Sequence, residues 1–378
     1  MALVKPDSGR FAQIKVLGIG GGGGNCINTM VETEQIKGVD FVAINTDAQA
    51  LLNNKAPAKL QIGKKLTKGL GAGGNPQIGQ KAAEESQEEI KRLITGSDMV
   101  FLTGGEGGGT CTGAAPIIAA IAKELGILTV AVVTRPFNFE GHRRAVTATE
   151  GIDKLREKVD TLITIPNQKL LDTIDKKITL VEAFRLVDSV LISGVQGIAD
   201  LITKPGLINL DFADVKMIMK NAGNTLMGIG KASGENRATK AARLATASPL
   251  LETSIEGAKG ILFNIVGSKD LTMKEVEEAA EAIFSQADPD ANIIFGATVD
   301  ESLDNKIKIT LIAAGFDEKR RLAKIAKAAN ETTQGIIKEI PTESQEGKTI
   351  PKEILPEDLG EEYEVPTFLR QGKKKLIN

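Results

Sequence analysis

Short apolar, β-branched runs recur along the first half of the chain, at residues 14–19, 41–45, 99–103, 127–134 and 161–165, and helical periodicity fills most of the intervals. That alternation predicts a mostly parallel sheet with helices on both faces. A long helical pattern follows, introduced by Thr179 with Glu182 at capping-box spacing, and it runs to about Thr203, where Lys204-Pro205-Gly206 stops it. Beyond a glycine-rich connector near 223–234, helical patterns at about 235–247 and 272–287 accompany strand-like runs at 260–266, 292–299 and 306–313. In the last run Ile307, Ile309 and Leu311 alternate with Lys306, Lys308 and Thr310, the period of a strand with one buried face. The predicted fold class is α/β: a parallel Rossmann-like domain at 11–178, after an extension at 1–10, joined by a central helix at 179–203 to a smaller α+β domain at 222–316. A loop and a further helix occupy 204–221.

From Asp317 onward charged and polar residues dominate, and Pro341, Pro351, Pro356 and Pro366 break the pattern. Too few apolar groups remain there to offset the entropy of ordering. Residues 317–364 therefore read as a flexible linker, with helix-forming character at 318–338, and the apolar cluster within 365–378 reads as a short binding peptide.

Composition narrows the functional classes. With 42% hydrophobic and 25% charged residues, the chain has the balance of a soluble protein that builds a sizeable core. Its apolar stretch at 114–122 is interrupted by Pro116 and ended by Lys123, short of the roughly 18 residues a membrane helix needs, so no membrane insertion is expected. Residues 1–10 carry no apolar stretch of signal-peptide length, which favours the cytosol. A net charge of -2 with one Tyr and no Trp argues against a nucleic-acid partner. Two cysteines, Cys26 and Cys111, are too few for a disulfide framework or a zinc site.

The candidate chemistry begins with two glycine loops, each between a predicted strand and a predicted helix. In residues 18–25, including Gly20, Gly21, Gly22 and Gly23, successive backbone N–H groups can face an anion at a helix N-terminus. Alone, this run also satisfies G-x-G-x-x-G, with Asp40 or Asp47 near the place of a ribose-binding acid, so an NAD-dependent oxidoreductase is an alternative, as is a simple tight turn. Residues 104–113 supply a second such loop, which a dinucleotide enzyme does not need. No G-x-x-x-x-G-K-[ST] occurs in the chain, so an ordinary P-loop is disfavoured. A third element, Asn209-Leu210-Asp211-Phe212-Ala213-Asp214, places two carboxylates three residues apart. Such a pair can orient an attacking water, or Asp211 can simply cap a helix.

Residues 107–113 resemble the tubulin-family signature GGGTGTG, and residues 209–214 resemble the NxDxxD catalytic loop of that family's FtsZ branch. Further motifs occur in family order: Asn45-Thr46-Asp47, the 71–76 run Gly-Ala-Gly-Gly-Asn-Pro, the 135–141 run Arg-Pro-Phe-Asn-Phe-Glu-Gly, Ile165-Pro166-Asn167, and Ala183-Phe184 with Asp188. The resemblance covers residues 11–316 and returns at the C-terminal peptide. It implies the tubulin/FtsZ fold and a GTPase whose substrate GTP and product GDP lie against Gly20 to Gly23, Ala72, Gly73, Gly107, Gly108, Gly109 and Thr110. Asn25, Asn167 and Asp188 would read the guanine edge, whose N1–H and N2–H₂ are donors that suit a carboxylate. Phe184 would pack on the base, and Glu140 with Arg144 would reach the ribose. Mg²⁺ would ride on the phosphates, with no metal ligand directly from the protein. Asn209, Asp211 and Asp214 would act on the GTP of a neighbouring subunit, so that copies assemble head to tail into division-ring filaments. Pro366, Phe368, Leu369 and Arg370 would recruit a membrane-tethering adaptor and division regulators, in the cytoplasm at the division site on the inner membrane face.

Two residues depart from the family pattern: Glu106, where an apolar residue is usual, and Cys111, where glycine is usual. They leave open a non-hydrolysing, GTP-binding filament or regulator. With Thr110 as helix N-cap and Cys111 first in the helix, Glu106 is expected to turn toward solvent or the next subunit, away from phosphate charge. The helix N-termini are expected to lower the thiol pKa of both Cys111 and Cys26.

Overall fold

The structure is a computed structural model that describes residues 12–33, 36–174, 178–204, 206–208, 210–251 and 255–316. Each parallel strand feeds a helix. β1 (Ile14–Ile19) leads into α1 (Gly20–Thr33), and β2 (Val39–Asn45) into α2 (Ala48–Leu52). β3 (Ala58–Gln61) precedes three helices, α3 (Lys64–Thr67), α4 (Pro76–Glu85) and α5 (Gln87–Ile94). β4 (Met99–Gly105) leads to α6 (Thr110–Glu124), β5 (Leu128–Arg135) to α7 (His142–Arg156), and β6 (Thr161–Pro166) to α8 (Asn167–Asp172). The second half comprises α9 (Leu180–Thr203), α10 (Phe212–Met219), β7 (Gly223–Ser233), α11 (Arg237–Thr246), β8 (Gly260–Gly267), α12 (Met273–Phe284), β9 (Asn292–Val299) and β10 (Lys306–Ala314).

The strands run in the order β3-β2-β1-β4-β5-β6-β7-β10-β8-β9. From β3 to β7 every pairing is parallel; β10 then pairs antiparallel with both β7 and β8, and β9 is parallel to β8. β7 joins the halves, pairing with β6 through Gly223–Thr225 and with β10 through Leu226–Ser233. This strand corrects the expected glycine-rich connector. Its Gly228 and Gly230 lie where α11 packs onto bare backbone, and a Cβ at either would strike Ala245 O or Ala241 O. Close helix–strand approach, rather than a flexible turn, requires those glycines.

α9 begins where the spacing predicts. Thr179 N–H donates to Glu182 Oε2 at 2.8 Å, and Glu182 N–H donates back to Thr179 Oγ1 at 3.3 Å. Val187, Leu191, Val195 and Ile198 of this helix share one core with Val132 of β5, Leu262 of β8 and Ile312 of β10, so α9 is packed by both halves. Among the described residues it is the one helix whose length and composition would suffice to cross a membrane, and most of the qualifying stretch is buried inside the protein. A second core, with Leu17, Ala114, Ile118, Val133 and Leu155, fills the opposite face of the parallel strands. A third, with Ala241, Phe263, Ile283 and Leu311, lies under α11 and α12.

Candidate functional site

The C-terminal ends of β1 and β4 bring the two glycine segments into contact. Strand β1 passes into α1 with no intervening loop, a correction to the expected one, because Gly20 turns the chain at once with φ 71°. Gly20 to Gly23 therefore form the first turn of a helix, with its N–H groups aimed outward. A Cβ on Gly20 would lie 3.3 Å from Cys111 N, and one on Gly22 3.2 Å from Gly105 N, so the two segments abut. In the second segment Gly107 has φ 94°, a left-handed angle that L side chains rarely adopt, and its N–H donates to Thr112 Oγ1 at 2.9 Å. Gly21, Gly73 and Gly108 face open space. Ala72 is buried against Gly109, Asn75 caps α4 by accepting from Gln77 N–H, and Thr46 Oγ1 lies 3.0 Å from Thr110 Oγ1. Three backbone segments thus converge on one concave surface carrying the positive ends of α1 and α6, an anion cradle without lysine.

Beside this cradle is a cavity of about 240 Å³, lined by Gly22, Asn25, Glu140, Arg144, Asn167, Phe184 and Asp188 among the expected residues. Asn167 is 4% exposed, and its Oδ1 has no hydrogen-bond partner. A buried, unsatisfied acceptor on a cavity wall suits a ligand donor. Burial raises the Asp188 carboxyl to about 6. At neutral pH the pocket therefore offers a carboxylate, one that a guanine edge can engage through two N–H donors. Arg144 pairs with Glu140 at 2.8 Å, and Glu140 Oε1 also accepts from Phe137 N–H at 2.9 Å, which fixes both side chains at the pocket mouth. Phe184 is 43% exposed and meets the buried Phe137 edge-on at 5.5 Å; Phe137 stacks on Phe139 at 5.0 Å. An exposed ring propped on a buried one is an apolar platform for a base.

The acidic loop lies at the far end of α9. Asp188 and Thr203 are separated by about 22 Å of helix at 1.5 Å per residue. Leu207 N–H then anchors the chain to Ala297 O of β9 at 2.8 Å. Asp211 is the exposed N-cap residue of α10, and its N–H donates to Asp214 Oδ2 at 3.1 Å. The capping alternative thus describes the local geometry of both acids. Asn209 lies outside the described residues, as do Pro366, Phe368, Leu369 and Arg370.

Two family models match the chain: the GTPase domain of the Tubulin/FtsZ family over residues 13–175, and the C-terminal domain of the FtsZ family over residues 223–317. An empty FtsZ dimer structure from M. jannaschii is 51% identical, covering 81% of this chain and 89% of its own, with TM-score 0.78. The chain belongs to the tubulin/FtsZ family. It is accordingly a tubulin-like GTPase that turns GTP into GDP and phosphate. At 21% identity the GDP-bound monomer of CetZ1 from Haloferax volcanii shares the fold, covering 85% of this chain and 99% of its own at TM-score 0.70. A GTPγS-bound CetZ2 protofilament structure from the same organism does so at 19% identity and TM-score 0.65, over 86% of this chain and 99% of that one.

Against the tubulin/FtsZ pattern, three expectations about the departures need correction. Gly109, not Thr110, is the N-cap of α6, so Thr110 is already helical and Cys111 lies second in the helix. Glu106 does not turn outward: it is 3% exposed. Its Oε1 accepts from Cys111 Sγ at 3.5 Å, and its Oε2 lies close to Gly151 of α7. With Gly151 bare of a Cβ, α7 leaves room behind the loop that the carboxyl fills. Both thiol pKa values are raised, not lowered, because desolvation of Cys26 and Cys111 outweighs the helix N-termini. Thr134 and Pro136 also line the pocket, and no role was assigned to them from the sequence. Thr134 is the penultimate residue of β5, and ligands of parallel sheets sit at the carboxyl ends of strands, which is the signal that would have found it.

Proposed function

We propose that this GTPase assembles head to tail and hydrolyses GTP at the contact between subunits, Asp211 and Asp214 of one copy completing the pocket of the next. The observation that carries this reading is the separation of the two halves of the site: the pocket lies at the start of α9, and the acidic loop is tied to β9 beyond its end. A subunit so built cannot bring its own acids to its own phosphates. A heterologous contact of that kind repeats without closing and generates a filament. The dimer and protofilament arrangements of the related structures accord with it.

In this scheme Asp188 and Asn167 hold the guanine, Phe184 supports the base, and Glu140 and Arg144 meet the ribose. Amides of residues 20–23, 73, 108 and 109, with the Thr110 hydroxyl, surround the phosphates. Mg²⁺ bound to the phosphates supplies the neutralisation that a P-loop lysine provides elsewhere. Asp211 and Asp214 accept hydrogen bonds from the water and so orient it for in-line attack on the γ-phosphorus, and one of the two takes the single proton that the water loses as GDP departs. Hydrolysis then weakens the contact that enabled it. By the family resemblance the filament serves as a cytoplasmic division ring, held at the membrane through an adaptor bound by the C-terminal peptide.

The test mixes Asp211→Ala/Asp214→Ala protein with an Asp188→Ala variant, each nearly inactive alone. Phosphate release should reappear in the mixture, because one of its interfaces pairs an intact loop with an intact pocket. A mixture no more active than its components would refute catalysis in trans.

A further inference from the structure

We propose that Glu106 is a positioning residue for the nucleotide phosphates, supporting the 107–110 loop only while its carboxyl carries a proton. This rests on the reading that the phosphates lie against that loop. Glu106 immediately precedes Gly107, and its own N–H is held by Thr134 O at 3.0 Å. Its side chain lies between the first turn of α6 and α7 at Gly151, where it also lines the nucleotide cavity. Cys111 Sγ contacts Oε1, while Oε2 is buried without a hydrogen-bond partner.

Among the described residues no cation is paired with this carboxyl. On α6 it faces the neutral Cys111 thiol and Thr112. On α7 Arg144 is paired with Glu140, while Glu150 and Lys154 line another cavity together with Gly151 and Thr112, and on β5 Arg135 lines a third. The cavity that Glu106 itself lines also carries the acid Asp188 and the Arg144–Glu140 pair. Burial accordingly raises Glu106 to about 7, with Thr112 and Cys111 offsetting only part of the effect. A neutral acid fits this slot as the family's usual apolar side chain would. An ionised one needs donors beyond the Cys111 thiol and the Thr112 hydroxyl, and the adjacent Gly107 N–H is now given to Thr112 Oγ1 at 2.9 Å. Turning that amide inward reshapes the loop just where phosphate charge also opposes the anion.

Nucleotide binding should therefore draw a proton onto Glu106. The sign follows from linkage: bound phosphate raises the Glu106 pKa further, so affinity is full below about 7 and falls as pH rises beyond it. Asp188 acts oppositely, since guanine needs its ionised form and affinity falls as pH drops below about 6. Affinity for GDP should peak between these values.

The experiment measures GDP affinity from about pH 5.5 to 8.8 for the native protein and for Glu106→Gln, which mimics the neutral acid. The native affinity should fall above pH 7 with a slope approaching tenfold per unit, while the variant keeps the acid limb and loses this alkaline one. The nucleotide's own titration is common to both proteins and cancels in the comparison. Independently of any variant, calorimetry on the native protein in two buffers of different ionisation enthalpy should record net proton uptake on GDP binding near pH 7.5. Equal alkaline slopes in both proteins, or no proton uptake, would overturn the proposal alone. GDP bound by neither protein at any pH would overturn the nucleotide reading, and the proposal with it.

Discussion

Replacing Asp188 by Asn separates what the carboxylate costs the empty protein from what it contributes to the ligand. Burial raises this acid from 3.8 to about 6. A raised acid takes up a proton on folding, so its destabilising effect is absent below 3.8, grows through the window up to about 6 and is complete above it. A shift of that size converts to about 3 kcal/mol, and solvent reaching the half-buried side chain reduces this to roughly 1–2 kcal/mol. Asp188→Asn should therefore raise the Tm of the nucleotide-free protein by about 2–6 °C at pH 7.5 and leave it nearly unchanged near pH 4. With nucleotide present the sign reverses. Two charge-assisted hydrogen bonds to guanine are lost and an amide NH₂ opposes the N2 donors, a cost of about 3–4 kcal/mol, or on the order of 10²–10³ in Kd. Xanthine carries a carbonyl at C2 and matches the Asn amide, so the variant should prefer XDP over GDP. Fluorescence titration with labelled GDP and XDP, alongside melts at both pH values, measures all of this. A variant that binds GDP within about threefold of the native protein would refute the assignment of Asp188 to the guanine edge.

Two further outcomes follow from the same site. Gly107→Ala places a Cβ 2.7 Å from Arg144 O at φ 94°, so calorimetry should show a loss of about 1–3 kcal/mol together with weakened GDP binding; an unchanged melt would mean that the loop is not held as described. Cys26 and Cys111 are buried with raised thiol pKa values, so a thiol-specific disulfide reagent at about pH 8 should modify neither in the native protein and both in denaturant. Rapid labelling of either native thiol would contradict that burial.

Much of the architecture was legible because it rests on local rules. Alternation within 306–313 became β10, the Thr179/Glu182 spacing became the start of α9, and Lys204 marks its end. The glycines of both phosphate segments were visible as residue types that let an anion approach backbone. What misled was context. Gly228 and Gly230 resemble turn residues until α11 is known to lie on them. Glu106 resembles a surface acid until α6 and α7 are known to close over it, and the two thiols resemble activated cysteines until their burial is counted.

The sequence by itself determined the helix and strand segments, the family, and the residue types of the phosphate cradle, since periodicity, capping and backbone exposure depend on residues within a few positions of one another. Tertiary structure alone decided which charges are solvated. It united Asn25, Asn167 and Asp188 around one cavity, set Asp211 at the opposite end of α9, and enclosed Glu106. The ionisation of a group depends on every segment packed around it, and those segments are distant in the chain.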